Sequence, residues 1–300
     1  MSRRPPLGGA FAAAATPLTP DGDGLDTVAI GPLVDWLCTT GLDGLLVLGT
    51  TGEGVLLDVD ERRRAVEAFV AAARGRLRVL AQCGAQSTRD TATLAACAAA
   101  AGADAVAVIA PPYFALDEGS MVEHLGRAAD ACAPLPFFVY EFATRSGYAV
   151  PPSVLGELRS RATNLAGLKV SDSPWERFAP YLLEGLDVFV GPEALIHRGM
   201  AAGAVGAVSG LAAALPEVVV EAVRSGTAAT TQRAEDLRAR IDRFPFHAAI
   251  KRLLVRRGVL VHDAVRAPLR GLSTLEGAAF DAMLPELLAD AGVPVPAPSA

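Results

Sequence analysis

The stretch Leu165-Ala166-Gly167-Leu168-Lys169-Val170 is short and apolar except for the lysine near its end. Seven other apolar runs occur along the chain, at intervals of roughly 25–30 residues. Strands that are buried on both faces of a parallel sheet have this unbroken hydrophobic pattern. The sequence therefore predicts eight parallel strands, over residues 11–16, 45–49, 79–83, 105–110, 137–141, 166–170, 188–191 and 206–209.

Amphipathic stretches separate these runs and predict helices over residues 60–73, 88–101, 118–132, 153–160 and 193–202. Asp60 is the candidate N-cap of the first of these helices. Alternating strands and helices indicate an α/β protein built on a (β/α)₈ TIM barrel. An open doubly wound sheet is the alternative, but no G-x-G-x-x-G motif follows any predicted strand, so its nucleotide-binding form has no support.

The pattern changes after about Pro216, where only helices are predicted, over residues 217–224, 230–243, 246–257 and 275–291. We interpret residues 1–225 as the (β/α)₈ barrel and residues 226–300 as a C-terminal helical extension. The tail over residues 294–300 is expected to be frayed.

Charge and composition exclude several classes of protein. The net charge is −6 and there is no basic stripe, which argues against a nucleic-acid partner. No apolar stretch reaches the length of about 18 residues that a transmembrane helix needs. The cysteines lack C-x-x-C spacing, as is typical of reduced thiols in a cytoplasmic protein; they are Cys38, Cys83, Cys97 and Cys132.

A metal site is not expected either. The histidines show neither H-x-H nor H-E-x-x-H spacing and are interpreted as core or surface residues; they are His124, His197, His247 and His262. A metal-dependent aldolase or hydrolase would need carboxylates or histidines at strand ends, and only Glu141 and Glu193 stand there.

Lys169 is an unusual residue in this chain. Of the 27 lysines and arginines, only Lys169 and Lys251 are lysines. Only an amine can lose its proton near neutral pH and attack a carbonyl to form an imine, so a lysine at the end of a buried strand is a Schiff-base candidate. The alternative is a strand-end lysine whose ammonium reaches water. Lys251, next to Arg252 in a helical stretch, is expected to lie on a solvated basic face.

Three more candidates lie at or just after the ends of predicted strands, at the end of the barrel where catalytic groups gather. Gly49-Thr50-Thr51-Gly52-Glu53-Gly54 offers two hydroxyls among glycines and could bind a small carboxylate; a plain turn is the alternative. Tyr140 could transfer protons, although tyrosines are often core residues. Arg145 could bind a second carboxylate, or be a surface residue. These candidates and Lys169 all fall at the same end of the predicted strands, which favours a shared functional site over the structural alternatives.

Four groups of residues together resemble one family. They are Gly49-Thr50-Thr51-Gly52-Glu53, Pro111-Pro112-Tyr113-Phe114, Val139-Tyr140 with Arg145-Ser146-Gly147, and Gly167-Leu168-Lys169. Their order and spacing resemble the dihydrodipicolinate synthase and N-acetylneuraminate lyase family of pyruvate-dependent class I aldolases and lyases, across roughly residues 8–290.

The resemblance implies a role for each candidate. Lys169 would form the imine with pyruvate, Tyr140 would shuttle protons, and Thr50 and Thr51 would bind the pyruvate carboxylate. Arg145 matches the arginine that synthases use for the carboxylate of aspartate-semialdehyde. We also include Val208, in the predicted strand 206–209, among the substrate-binding residues.

The chain departs from the family pattern at several positions. Phe114 stands where synthases have a second tyrosine that reaches across a subunit interface, and a phenyl ring cannot pass a proton. Glu141, Ala143 and Val170 also replace usual residues. The second substrate is therefore open between an unidentified aldehyde and aspartate-semialdehyde, and Phe114 argues against the latter.

The expected function is that of a cytoplasmic lyase that makes or breaks a C–C bond next to an imine of pyruvate or a related 2-oxo acid. No cofactor is expected, and the family suggests a homotetramer with Phe114 near an interface. The alternative from another class is a non-catalytic sensor that keeps the 2-oxo acid pocket.

Overall fold

A computed structural model describes residues 7–294 of the chain. Its centre is a closed barrel in which each strand pairs in parallel with the next, and β8 pairs with β1. The predicted TIM barrel is therefore confirmed. The strands are β1 (Gly9–Ala13), β2 (Gly44–Val47), β3 (Arg78–Gln82), β4 (Ala105–Ile109), β5 (Phe137–Glu141), β6 (Leu165–Val170), β7 (Asp187–Val190) and β8 (Gly206–Ser209).

Two apolar layers hold the barrel together. Inward-pointing side chains fill its interior, where the ring centroids of Phe11 and Phe189 are 5.1 Å apart and those of Phe138 and Phe189 are 5.9 Å apart. A larger cluster lies between the strands and the surrounding helices. Because both faces of each strand are buried, the strands read as continuous hydrophobic runs in the sequence.

Helices connect the strands and cover the barrel. They are α1 (Thr27–Leu37), α2 (Val59–Ala73), α3 (Thr88–Ala101), α4 (Glu118–Cys132), α5 (Ala143–Ser146), α6 (Pro152–Arg161), α7 (Trp175–Phe178), α8 (Ile196–Ala201), α9 (Pro216–Ser225), α10 (Ala228–Ile241), α11 (Phe246–Arg256) and α12 (Thr274–Asp290).

Several element boundaries differ from the predictions. Asp58 caps α2, with Glu61 completing a capping box, so Asp60 lies inside the helix instead of at its cap. The predicted helix 193–202 begins as a 3₁₀ turn, Glu193–Leu195, before α8. The patterns did not single out α1, which contains Gly31 and Pro32, both poor helix formers.

The helices after β8 pack against the barrel. Arg257, which follows α11, donates to the carbonyl oxygen of Ala214 and pairs with Glu217 on α9 at 2.6 Å. The larger apolar cluster extends without a break to Leu253 and Phe280. This packing sets the start of α11 against the loop that follows β2. The predicted frayed tail lies outside the described residues except for Pro294.

Candidate functional site

A cavity of about 750 Å³ opens at the C-terminal ends of the strands. All six residues predicted for the site line it: Thr50, Thr51, Tyr140, Arg145, Lys169 and Val208. They come from strands or loops far apart in the sequence, and the closed parallel barrel brings these strand ends together.

Lys169 is buried beside the ring of Tyr140. The parallel register of β5 and β6 pairs Tyr140 with Lys169, so the two side chains are neighbours. The Lys169 side chain is only 5% exposed, and its Nζ lies 4.0 Å from the centroid of the Tyr140 ring. Nζ also donates a hydrogen bond to the hydroxyl of Ser171. The ammonium therefore lies inside the barrel mouth instead of reaching bulk water.

The phenol of Tyr140 is linked to the loop after β2. Its oxygen lies 3.1 Å from Thr50 Oγ1. Burial alone would raise the pKa of Tyr140, but the nearby charge of Lys169 and the hydrogen bonds of Thr50, Lys169 and Ser171 outweigh it and lower the pKa. The phenol can thus give up and regain a proton more readily than a free tyrosine, as a proton-transfer group requires.

The loop Gly49-Thr50-Thr51-Gly52-Glu53-Gly54 folds tightly back on β2. Glu53 adopts a left-handed backbone conformation, with φ of 56°. A Cβ atom at Gly54 would overlap the carbonyl oxygen of Leu48, so only glycine allows this close approach. The Thr16 hydroxyl donates to the Gly52 carbonyl at 2.6 Å. The fold of the loop presents the hydroxyl of Thr50 to Tyr140.

Helix α11 contacts this loop at two points one helical turn apart. His247 Nε2 lies 2.9 Å from the Thr50 carbonyl oxygen, and Lys251 Nζ lies 2.6 Å from Glu53 Oε1. Burial lowers the pKa of His247. A neutral imidazole with its proton on Nε2 can donate to the Thr50 carbonyl.

The prediction that Lys251 lies on a solvated face is wrong. The residue is 1% exposed, and its Nζ also donates to the carbonyl oxygen of Ala264 at 2.7 Å. It lies on the inner face of α11, whereas its sequence neighbour Arg252 points to Asp281 and Asp263 on the outer side. The spacing of His247 and Lys251, four residues apart on a helix, was the one signal that both face the same side.

Arg145 lies at the mouth of the cavity, on the one-turn helix α5. It is exposed, and its guanidinium carbon lies 5.8 Å from the centroid of the Phe142 ring. No carboxylate among residues 7–294 forms an ion pair with it. Asp172 anchors α5 by accepting from the backbone N–H of Ala143 at 2.7 Å and from the Thr144 hydroxyl at 3.1 Å. Arg145 is thus a free cation on a fixed support.

The two strand-end carboxylates are held by neighbouring groups, although Glu193 is part of the cavity wall. Burial, together with the nearby carboxylate of Asp172, raises the pKa of Glu141 to about 8, and one of its oxygens accepts from the backbone N–H of Val150 at 2.9 Å. Glu193 accepts from the Ser209 hydroxyl at 2.5 Å and lies 3.4 Å from Arg238. In the described range, no group of three or more His, Cys, Asp or Glu side chains is arranged to hold a metal.

Phe114 does not line the cavity of its own chain. Its side chain is 72% exposed and stacks edge-on against Tyr113, which is 86% exposed, with ring centroids 4.8 Å apart.

No helix within residues 7–294 is both long and apolar enough to cross a membrane.

The sequence patterns missed part of the cavity wall. Ser171 lies two residues after Lys169 and lines the cavity, as do Phe142, Glu193, Arg238, Phe246 and His247 among others. Arg238 stacks on Phe246, with the guanidinium carbon 4.0 Å from the ring centroid. Only the position of Ser171 directly after a candidate strand could have drawn attention to it.

Known proteins resemble this chain in sequence and fold. Residues 6–287 match the Dihydrodipicolinate synthetase family. An uncharacterized DapA-like lyase of Halobacterium salinarum is 37% identical over 258 residues, which cover 82% of this chain and 83% of the relative. The crystal structure of dihydrodipicolinate synthase from Aquifex aeolicus superimposes with a TM-score of 0.83 at 25% identity, covering 97% of this chain and all of the other. The N-acetylneuraminate lyase of Proteus mirabilis gives a TM-score of 0.83 at 29% identity, covering 94% and 99% of the two chains. The chain therefore belongs to the dihydrodipicolinate synthetase family and is a lyase.

Proposed function

We propose that this protein is a Schiff-base-forming aldolase or lyase that acts on pyruvate or a related 2-oxo acid through Lys169. The observation that carries the proposal is the position of Lys169, which is 5% exposed and has its Nζ 4.0 Å from the Tyr140 ring. A buried amine beside a proton-transfer group is the arrangement that imine formation requires.

In the proposed reaction, the neutral amine of Lys169 attacks C2 of the 2-oxo acid. The Thr50 and Thr51 hydroxyls bind the carboxylate, Val208 forms part of the floor, and Tyr140 moves protons as the carbinolamine loses water. The resulting iminium draws electrons from C3. An enamine can then add to an aldehyde, or in the reverse direction the C3–C4 bond breaks. These steps call on no cofactor.

The second substrate is proposed to be an aldehyde that carries an acidic group. Arg145 supports this, because it is an exposed cation at the cavity mouth with no ion-pair partner among the described residues. Aspartate-semialdehyde is the alternative second substrate, which would make the protein a 4-hydroxy-tetrahydrodipicolinate synthase. Phe114 opposes this candidate, since it cannot serve as a proton donor.

A homotetramer is proposed from family resemblance. The exposed pair Tyr113 and Phe114 supports an interface at this point. Exposure of two adjacent aromatic rings to water is unfavourable, and aromatic residues are enriched at protein interfaces. Light scattering at micromolar concentration tests this assembly, and a monomer would contradict it.

Covalent trapping tests the proposed function. Incubation with pyruvate followed by borohydride should reduce the imine to a stable secondary amine on Lys169. The chain contains only two lysines, so peptide mapping gives a clear answer, and Lys251 is 1% exposed and ion-paired. Lys169→Arg keeps the charge and should abolish trapping. An adduct on Lys251, or on neither lysine, contradicts the proposal.

Turnover must be measured separately from trapping. A panel of aldehydes and 2-oxo acids, assayed for pyruvate consumption or release, identifies the second substrate. Aspartate-semialdehyde is expected to condense slowly at best, and efficient turnover of it would favour the synthase. Trapping without turnover on any member of a broad panel would favour a 2-oxo acid sensor.

A further inference from the structure

Asp172 is a buried carboxylate whose two oxygens both bind the start of α5. It lies two residues after the end of β6 and is only 2% exposed. Its Oδ2 accepts from the backbone N–H of Ala143 at 2.7 Å, and its Oδ1 accepts from the N–H and the hydroxyl of Thr144 at 3.3 Å and 3.1 Å. Since the register of β5 and β6 places their ends side by side, the carboxylate reaches from one strand end to the segment that follows the other.

The other end of α5 is tied down as well. The hydroxyl of Ser146 donates to the Tyr148 carbonyl oxygen at 2.6 Å, and the Tyr148 hydroxyl donates to the Pro111 carbonyl oxygen at 2.8 Å. Gly147 ends the helix in the left-handed conformation, with φ of 90°. Between these two attachments, the exposed side chain of Arg145 reaches the wall of the cavity. The direction of this side chain therefore depends on how the backbone of α5 is held.

Helix α5 cannot hold this backbone by itself. A single helical turn is unstable in water, because its first hydrogen bond requires several dihedral angles to be fixed. The four residues of α5 therefore depend on contacts with the rest of the fold. Asp172 supplies three such contacts, and they fall on the two residues directly before Arg145. A carboxylate next to the N–H groups at the start of a helix also interacts favourably with their partial positive charge.

We propose that Asp172 is a positioning residue that fixes the direction of Arg145, and that it thereby gives the site its preference for an acidic second substrate. This assignment rests on the proposed function, in which Arg145 binds the acidic group of the aldehyde. Asp172 is not among the residues that line the cavity, so it acts through the backbone of α5 and not on the substrate. A guanidinium that is already in place loses less conformational entropy when the anion binds.

Asp172 could instead contribute only to the stability of the fold, and the charge of the ligand separates the two roles. A general loosening of the barrel mouth would weaken the binding of neutral and anionic ligands alike. Loss of the positioning of Arg145 weakens the binding of the anion alone, and it has no further effect once Arg145 has been replaced.

The test measures the binding of butanoate and butanamide, which differ in charge but hardly in shape. Each protein is first labelled at Lys169 with pyruvate and borohydride, so that neither probe can occupy the amine, and Kd is then measured by NMR titration. In Asp172→Asn, whose amide NH₂ group cannot accept a hydrogen bond, the Kd of butanoate should rise about tenfold while that of butanamide stays the same. Thr144→Val removes one of the three hydrogen bonds and should give a smaller rise of about threefold.

Two controls accompany these variants. Asp43→Asn also removes a carboxylate that binds a backbone N–H, that of Ala10 at 2.8 Å, but at the opposite end of the barrel, where β1 and β2 begin. It should leave the Kd of both probes unchanged. Arg145→Gln should abolish the preference for butanoate, and the addition of Asp172→Asn to this variant should change nothing further.

The positioning role is contradicted if Asp172→Asn leaves the Kd of butanoate unchanged, weakens the binding of butanamide equally, or has the same effect when Arg145 has been replaced. It is also contradicted if Asp172→Asn cannot be labelled at Lys169, because Asp172 would then act on more than Arg145. An original protein that is not labelled at Lys169 overturns the proposed function itself. An original protein that is labelled but binds both probes equally refutes the recognition of an acidic group by Arg145, and the positioning role with it.

Discussion

Replacing Lys251 with methionine should destabilise the protein strongly, although this residue lies outside the proposed chemistry. The Lys251 and Glu53 side chains are 1% and 0% exposed, and their charged atoms are 2.6 Å apart. Across 2.6 Å the attraction is about 6 kcal/mol at an effective dielectric constant of about 20. Part of this energy is recovered when the Glu53 carboxylate, left without its partner, protonates or takes up water. We therefore expect Lys251→Met to lower the free energy of unfolding by about 3–5 kcal/mol.

Urea unfolding followed by circular dichroism measures this loss. Glu53→Gln alone leaves the ammonium unpaired and should cost a comparable amount. The double variant Glu53→Gln, Lys251→Met leaves no unpaired charge, so its loss should be smaller than the sum of the single losses by at least about 2 kcal/mol. The reasoning would be refuted if the free energy of unfolding of Lys251→Met lay within about 0.5 kcal/mol of that of the original protein. It would also be refuted if the losses of the two single variants simply added in the double variant.

Four further outcomes are expected. Tyr140→Phe should slow the formation of the imine ~100-fold while leaving Lys169 able to react, as the time course of borohydride trapping would reveal. His247→Phe removes the donor to the Thr50 carbonyl, a loss of about 1 kcal/mol, so the KM for pyruvate should rise about fivefold with little change in kcat. Turnover should survive treatment with a chelator, and a loss that zinc or magnesium reverses would disprove the imine mechanism. The pKa of Glu141 is raised to about 8 in the folded protein, so the folded state holds one proton more than the unfolded state above the ordinary pKa of 4.5. The stability from this group is therefore complete below pH 4.5 and is lost as the pH rises to about 8, at about 1.4 kcal/mol per pH unit; Glu141→Gln should flatten this slope in unfolding titrations.

The barrel was predictable because its strands are buried on both faces and are therefore uniformly apolar in the sequence. The grouping of Tyr140 with Lys169 was also predictable, since adjacent parallel strands end side by side and the register pairs these two residues. Both inferences use periodicity and the geometry of the sheet, which single sequences express well.

Contacts made by side chains across the fold were not predictable. The pattern around Lys251 gave its helix, but the buried carboxylate of Glu53 lies about two hundred residues away in the sequence, and nothing local indicates which helix face meets it. Ser171 was missed because it lies in a loop whose path depends on space left by Gly191. Helix α1 was missed because Gly31 and Pro32 weaken its local pattern.

The contacts between the loop after β2 and α11 have a consequence for the order of synthesis. The six residues proposed to hold or transform the substrate have all been translated once Val208 leaves the ribosome. His247 and Lys251, together with Arg266, whose backbone N–H donates to Glu53, are translated later. A nascent chain that ends before His247 would lack all three of these contacts to the loop that follows β2. Activity should therefore appear late in synthesis, only after α11 and the segment that carries Arg266 have docked.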